Sequence, residues 1–385
     1  MAIAAQLDRA AEAAFELKGN AVSWMQSIEG LRGLGAFMVF LVHYATLVKP
    51  WVPPESSIFL INETLFSMGN VGVDVFFAIS GFLIYAMLIR RERPLLPYFR
   101  RRVMRIYPVF LAVMLIYTAL SLALPEQSKI PTGETEATGY LIANYLLLPG
   151  ILDIEPMITV AWSLSYEMFF YLAMPLLLPV FRLRQAPPRV RVLFWFAVWV
   201  VVYLAVPQHF RASMFIAGIM VYETAQVIAR DRSSPLLTLF ALAAFAAVLA
   251  FKTSIHFDFV TFEDAGKVNQ VALFGACYLL CLAVFCKDGW LSRFFSRRYL
   301  RYFGNMSYSF YLIHGLTLKF FFLILGVLLP PESYGGVLWF WVLFLPALAT
   351  ATAVSAGLFL LVERPFSLDG IGLRSLVRSR LTLPS

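Results

Sequence analysis

Cysteine, histidine and charge are all scarce in this 385-residue chain, and each shortage closes off a class of protein. The three cysteines, Cys277, Cys281 and Cys286, fall in or at the end of one apolar run, with no C-x-x-C pair and no histidine close by. Neither a disulfide framework nor a metal site is expected, because buried thiols usually act as small apolar residues. Asp, Glu, Lys and Arg supply 14% of the residues against 60% hydrophobic ones, with a mean hydropathy of +0.76. A soluble domain does not have that balance. Residues 1–27 lack the apolar core and cleavage site of a signal peptide, so the first membrane helix is expected to be its own insertion signal. No internal repeat of the kind that marks many transporters is visible. The net charge of +8 makes no case for nucleic acid. Apart from Arg32, Arg211, Lys252 and Lys319, the bases sit mostly in short loops on alternate sides of apolar runs, which is a topology signal.

What is present is a succession of apolar runs near twenty residues long, the signature of a polytopic helical membrane protein. The expected fold is all-α and integral to the membrane, about ten transmembrane helices in one bundle. The spans fall near 29–48, 69–89, 104–124, 159–181, 192–206, 212–229, 236–252, 268–286, 306–328 and 338–362. Charge counting tests this register, since a missed helix would swap the side of every later loop. One side collects Arg90 to Arg105, Arg182 to Arg191, Arg230, Arg232, Lys287 to Arg301 and Arg364 to Arg380. The other holds mainly acids, from Glu55 and Glu63 through Glu126, Glu134, Asp153 and Glu155 to Asp258, Glu263 and Glu332. Both termini are therefore expected to be cytoplasmic. The chain divides into a cytoplasmic N-terminal segment (1–27), a transmembrane domain (28–365) and a cytoplasmic tail (366–385). The longest outward loop, about 125–158, is rich in proline, and its segment 140–149 is apolar enough to re-enter the interface, which makes it a candidate lid.

Ionisable groups at membrane depth are costly and lean functional. His43 stands in the first apolar run, eleven residues after Arg32, so one helix face carries both, roughly 16 Å apart. Such a histidine either hydrogen-bonds a neighbouring helix or takes a proton from a hydroxyl near neutral pH. Asp74 opens the second span in Gly72-Val73-Asp74-Val75-Phe76-Phe77, either as a helix-start carboxylate or as a group that orients His43. Arg102 and Arg105, three residues apart, present two guanidiniums on one helix face, a spacing matched to phosphate oxygens. In Trp162-Ser163-Leu164-Ser165-Tyr166-Glu167, the carboxylate has Ser163 one turn before it and Tyr171 one turn after. Ser307, Tyr311 and His314 form a polar stripe on the ninth span. Lys319 reads as a further buried base without an evident partner, and His209 and His256 as solvated residues of outward loops.

These pieces together resemble the membrane acyltransferase-3 family. The similar features are an arginine and a histidine separated by ten residues (Arg32, His43), Val-Asp-Val-Phe-Phe-x-Ile-Ser-Gly-Phe (Val73 to Phe82), and R-x-x-R before Ile-Tyr-Pro (Arg102, Arg105). Trp-Ser-Leu-x-x-Glu (Trp162 to Glu167), Ser-Tyr-Ser-x-Tyr-Leu-x-His (Ser307 to His314) and Glu-Arg-Pro (Glu363 to Pro365) complete the set. Ala78 replaces a more usual valine, and Met168-Phe169 replaces more polar residues. The resemblance implies transfer of an acyl group, acetyl by default, from cytoplasmic acyl-coenzyme A to a hydroxyl of a carbohydrate or related acceptor. It also implies a multi-pass protein of a bacterial inner (cytoplasmic) membrane, with acyl-coenzyme A as co-substrate and no tightly bound cofactor. On that reading His43 is the general base, with Glu167 or Asp74 orienting it, or else becomes transiently acylated. Arg32, Arg102 and Arg105 hold coenzyme A phosphates, and Trp162, Ser163, Tyr311 and His314 touch substrate. The sequence ends at Ser385 without the soluble hydrolase-like domain that some relatives append, so acceptor chemistry is expected in the membrane domain. The rival readings are a transporter or flippase of lipid-linked sugars, which predicts repeats or broken helices in two halves, and an inactive sensor or scaffold.

Overall fold

A computed structural model describes residues 2–17, 23–227, 234–252, 267–285 and 289–368. Among them the chain is helical and forms no strand, as a backbone in hydrocarbon must satisfy its own hydrogen bonds. The helices are α1 (Ala2–Phe15), α2 (Ser23–Val48), α3 (Ser57–Gly69), α4 (Val71–Arg90), α5 (Leu95–Ala123), α6 (Glu134–Tyr145), α7 (Trp162–Val180) and α8 (Pro188–Ala205). They continue with α9 (Met214–Val227), α10 (Pro235–Lys252), α11 (Lys267–Phe285), α12 (Trp290–Phe295), α13 (Arg298–Asn305), α14 (Ser307–Leu328), α15 (Pro331–Tyr334) and α16 (Val337–Leu358). A π-helical segment, Phe359–Leu368, follows α16 directly. It runs past the domain boundary expected at residue 365, and Phe366 to Leu368 line a cavity.

Each expected apolar segment falls on a helix, and seven helical runs are long and apolar enough to cross a membrane. Helices α10 and α11 contribute shorter apolar stretches, Pro235–Ala250 and Asn269–Phe285, while α9 has 14 residues. Hydropathy left several helices unforeseen, among them α3, which runs almost unbroken into α4 through a helical Asn70, and the short α12 and α13. Loop 125–158 contains α6 and is pinned internally. Asn144 accepts from the Met157 N–H (2.7 Å) and donates to the Tyr140 carbonyl (3.0 Å), and Lys129 pairs with Glu155 at 2.9 Å.

Two close helix pairs set the frame. In α4 against α9, a Cβ at Gly218 would overlap the Ala78 carbonyl, and one at Gly81 would overlap that of Phe215. In α2 against α13, Gly304 plays the same part against the Glu29 carbonyl, and Gly30 does so against the Phe295 carbonyl at the end of α12. Small residues permit this backbone approach where no hydrophobic drive separates helix from lipid. Gly218→Ala is accordingly expected to destabilise the protein by about 1–3 kcal/mol through overpacking, read as an earlier thermal transition in detergent. Gly139→Ala, where nothing lies within 4 Å, is the control expected to leave the transition in place.

At the arginine-rich end, α1 is docked. Asp8 accepts from Arg298 and Tyr299 (2.9 Å each), Arg301 bridges Glu16 and Glu29, and Phe15 stacks on Phe359 at 5.7 Å.

Candidate active site

Helices α2 and α14 each line two cavities in succession. The larger, about 750 Å³, is lined by five arginines, namely Arg32 from α2 and Arg100, Arg101, Arg102 and Arg105 from α5. Ser80, Ser163, Glu167, Tyr171, Ser307, Tyr308 and Tyr311 supply further polar groups. The smaller, about 280 Å³, contains His43 with Thr46, Tyr117, Ser121, Gln127, Lys129, Thr159, Gly315 and Lys319. The ten residues between Arg32 and His43 thus lead from one cavity to the other.

In the larger cavity the arginines differ in how far they are already engaged. Arg105 pairs at 2.7 Å with Glu363, which is fully buried on the π-helical segment. Glu363 also accepts from the Ser309 N–H (3.0 Å) and hydroxyl (2.6 Å), so the Glu-Arg-Pro end, α5 and α14 are tied at one carboxylate. A π-helical turn opens the backbone register and often marks a functional place. The Arg102 guanidinium lies over the rings of Tyr98 (5.8 Å) and Tyr171 (5.6 Å), with its Nε hydrogen-bonded to no described residue. Arg32 is half-buried and makes no hydrogen bond or ion pair with the described residues.

Around His43 the arrangement departs from expectation. Neither Asp74 nor Glu167 bonds to it. Asp74, fully buried, is held by Arg211 through two contacts of 3.2 Å, and Arg211 also donates to the Asn70 carbonyl at 2.7 Å. Glu167 faces the larger cavity and accepts from Ser80 (3.0 Å) and from Tyr171. The neighbour of His43 is His314, edge to face at 4.9 Å between ring centres. His314 Nδ1–H donates to the Phe310 carbonyl (2.8 Å), which fixes its tautomer and leaves Nε2 with its lone pair. The Nε2 atoms of both histidines are buried without a partner among the described residues.

The residues expected to touch substrate are likewise redistributed. Ser163 and Tyr311 reach the larger cavity, their hydroxyls 2.7 Å apart. Trp162 lines neither cavity and lies under the Arg211 guanidinium at 4.8 Å. His314 lines neither, and meets His43 instead. Lys319, read as buried, is exposed and borders the smaller cavity. His209, read as solvated, is half-buried and bonded through Nδ1 to the Tyr166 hydroxyl at 2.6 Å. His256 lies outside the described residues.

Sequence reasoning missed Arg211 as the partner of Asp74 and Glu223 altogether. Glu223 is fully buried in α9, 2.7 Å from Arg191, and accepts from Tyr85. Its signal was available: it is the one acid in the apolar run 212–229. No group of residues that could hold a metal ion occurs among the described residues, where Cys277 and Cys281 are buried and in no disulfide.

Known proteins resemble parts of the chain. Acyltransferase MdmB of Streptomyces mycarofaciens is 34% identical over 178 residues, 45% of this chain and 43% of that protein. O-acetyltransferase OatA of Staphylococcus aureus (strain NCTC 8325 / PS 47) is 30% identical over 174 residues, 42% of this chain and 26% of that protein. Exopolysaccharide production protein ExoZ of Rhizobium meliloti (strain 1021) is 31% identical over 110 residues, 28% of this chain and 33% of that protein. The matches thus span less than half the length of each relative. No solved structure matches the chain. A family model described as an acyltransferase domain matches residues 25–358, and the five arginines of the larger cavity, His43 and the Ser307 to His314 stripe all fall inside it; the chain belongs to the membrane acyltransferase-3 family.

Proposed function

We propose that the protein is an integral membrane O-acyltransferase that moves an acyl group, acetyl by default, from acyl-coenzyme A to a hydroxyl of a carbohydrate or glycosylated acceptor. The observation that carries this reading is the arginine-lined cavity joined by helix α2 to His43. Coenzyme A is a polyanion, and guanidiniums in a fixed fork suit its phosphates. Arg102 and Arg32 serve first, because Arg105 is already paired with Glu363 and acts more as the anchor of that wall. The names of the relatives support O-acetylation and a glycan acceptor. The positive-inside rule puts the arginine cavity in the cytoplasm, with both termini there and a bacterial inner membrane as the setting.

In the chemical step His43 takes the proton from the acceptor hydroxyl as its oxygen attacks the thioester carbonyl. The new C–O bond forms, the C–S bond breaks, and the departing thiolate takes the proton. His314 positions the base by packing edge-on against it, the part first expected of Asp74 or Glu167.

Calorimetric titration of purified protein with coenzyme A tests the donor half. Arg102→Ala is expected to weaken binding about tenfold to hundredfold, the loss of one charge-assisted contact at about 1.5–3 kcal/mol. A folded wild-type protein that neither binds coenzyme A nor transfers label from acetyl-coenzyme A overturns the proposal. The acceptor is then identified by mass spectrometry of surface glycans from cells with and without the protein.

A further inference from the structure

The two cavities have walls in common. On α14, Ser307, Tyr308 and Tyr311 face the arginine cavity, and the very next residue, Leu312, begins the lining of the His43 cavity. On the segment leading into α7, Val160 borders the His43 cavity and Ser163 the arginine cavity. The side chains at this junction bond to each other. The Tyr311 hydroxyl donates to the Val160 carbonyl at 3.0 Å and lies 2.7 Å from the Ser163 hydroxyl, which reaches the same carbonyl at 3.0 Å. Phe76 holds the Tyr311 ring from the side, edge-on at 5.7 Å. A donor anchored by the arginines therefore meets this hydrogen-bonded junction on the way to His43.

We propose that Tyr311, latched to Ser163 and Val160, is a seal between a donor chamber and an acceptor chamber, and that the acceptor hydroxyl occupies the smaller, His43-containing cavity. What crosses the seal rests on the acyl-coenzyme A reading above. The smaller cavity suits an acceptor: about 280 Å³ accommodates one sugar residue, and Thr46, Ser121, Gln127, Thr159, Lys129 and Lys319 give it hydroxyl, amide and ammonium groups along its wall. Its roof includes Gln127, Lys129 and Met157, from the loop whose sequence marked it as a lid. The seal sets the choice between acceptor and water. When it parts, the thioester reaches a chamber where a bound sugar hydroxyl has displaced water. If it stands open without acceptor, water supplies the attacking oxygen instead: a C–O bond forms, the C–S bond breaks, and free acid and coenzyme A thiol leave. Tyr311 is in this sense a determinant of specificity for the acceptor over water.

The test has two arms. In a chain with Cys277, Cys281 and Cys286 replaced by alanine, Thr46→Cys places a thiol in the smaller cavity. An anionic methanethiosulfonate reagent is applied to sealed vesicles of each orientation. With Tyr311 present, modification is expected from one face only; with Tyr311→Ala, it is expected from both, with at least a tenfold faster rate from the second face. The double variant Tyr311→Phe, Ser163→Ala keeps the ring but removes the latch, and is expected to fall between, which guards against Tyr311→Ala failing to fold. Modification from both faces before any change at Tyr311, or from one face in both folded variants, overturns the seal. In the second arm, purified full-length protein is given acetyl-coenzyme A without acceptor, and thiol release is expected to rise about tenfold relative to transfer in Tyr311→Ala. Unchanged partition between release and transfer in that variant overturns the specificity role. Vesicle labelling that switches while the wild type neither transfers nor releases thiol upholds the seal and overturns the acyl-coenzyme A reading instead.

Discussion

His43→Ala is expected to lower acyl transfer by about a hundredfold to ten-thousandfold, the range a positioned general base contributes. The fold should survive. His43 accepts and donates no hydrogen bond among the described residues, so its removal breaks no polar network and costs only a half-buried ring beside a cavity. Coenzyme A binding, measured by titration on the same preparation, should stay within a few-fold of wild type, since Arg32 of the donor cavity is about three helical turns away and His43 does not line that cavity. That combination separates a base from a packing residue. Near wild-type transfer by a folded His43→Ala protein sinks the assignment. His43→Gln, which keeps a polar side chain of similar reach but cannot take the proton at neutral pH, should be as inactive as the alanine variant.

The second large effect belongs to stability rather than chemistry. Asp74→Ala removes the carboxylate that faces Arg211, a side chain 5% exposed and stacked over Trp162. Breaking one side of a buried pair costs about 3–5 kcal/mol, because the remaining charge stays desolvated. Loss of yield and a marked fall in the thermal transition are therefore expected. Replacing both partners, Asp74→Leu with Arg211→Met, should recover much of the loss, since apolar residues of similar volume can substitute for a buried pair. The opposite pattern, a stable Asp74→Asn protein with normal donor binding and a collapsed turnover rate, returns Asp74 to the catalytic role its sequence position suggested.

That choice shows where sequence reasoning stops. Asp74 and His43 each stand out as ionisable residues in apolar helices, and the cost of burying charge makes both conspicuous. Which group a buried carboxylate faces depends on rotation and depth of several helices together, and hydropathy carries neither. Arg211 lies at the edge of its apolar run, where a loop base and a buried base look alike. Glu167 is similar. Its placement one turn from Ser163 and Tyr171 was legible from helical spacing, and Tyr171 does bond to it, but the Ser80 contact comes from another helix. The short α12 and α13 escaped because they are polar enough to read as loop, although α13 packs against α2 through Gly33 and Gly304.

The sequence by itself determined that the chain is a bundle of apolar helices, which segments form them, that one helix carries Arg32 and His43 at a three-turn spacing, and that six motifs in order match the acyltransferase-3 family. Those properties are local or periodic: composition, run length and residues per turn suffice. Only the tertiary structure decided the pairings across helices, namely His43 with His314, Asp74 with Arg211, Arg105 with Glu363, and Tyr311 with Ser163 and Val160. It also set Arg32 and His43 in the linings of two different cavities. The reason is physical. A polar side chain within a membrane must find its partner on whichever helix packs opposite it, and that is fixed by close contacts of glycine and aromatic surfaces spread across the whole chain.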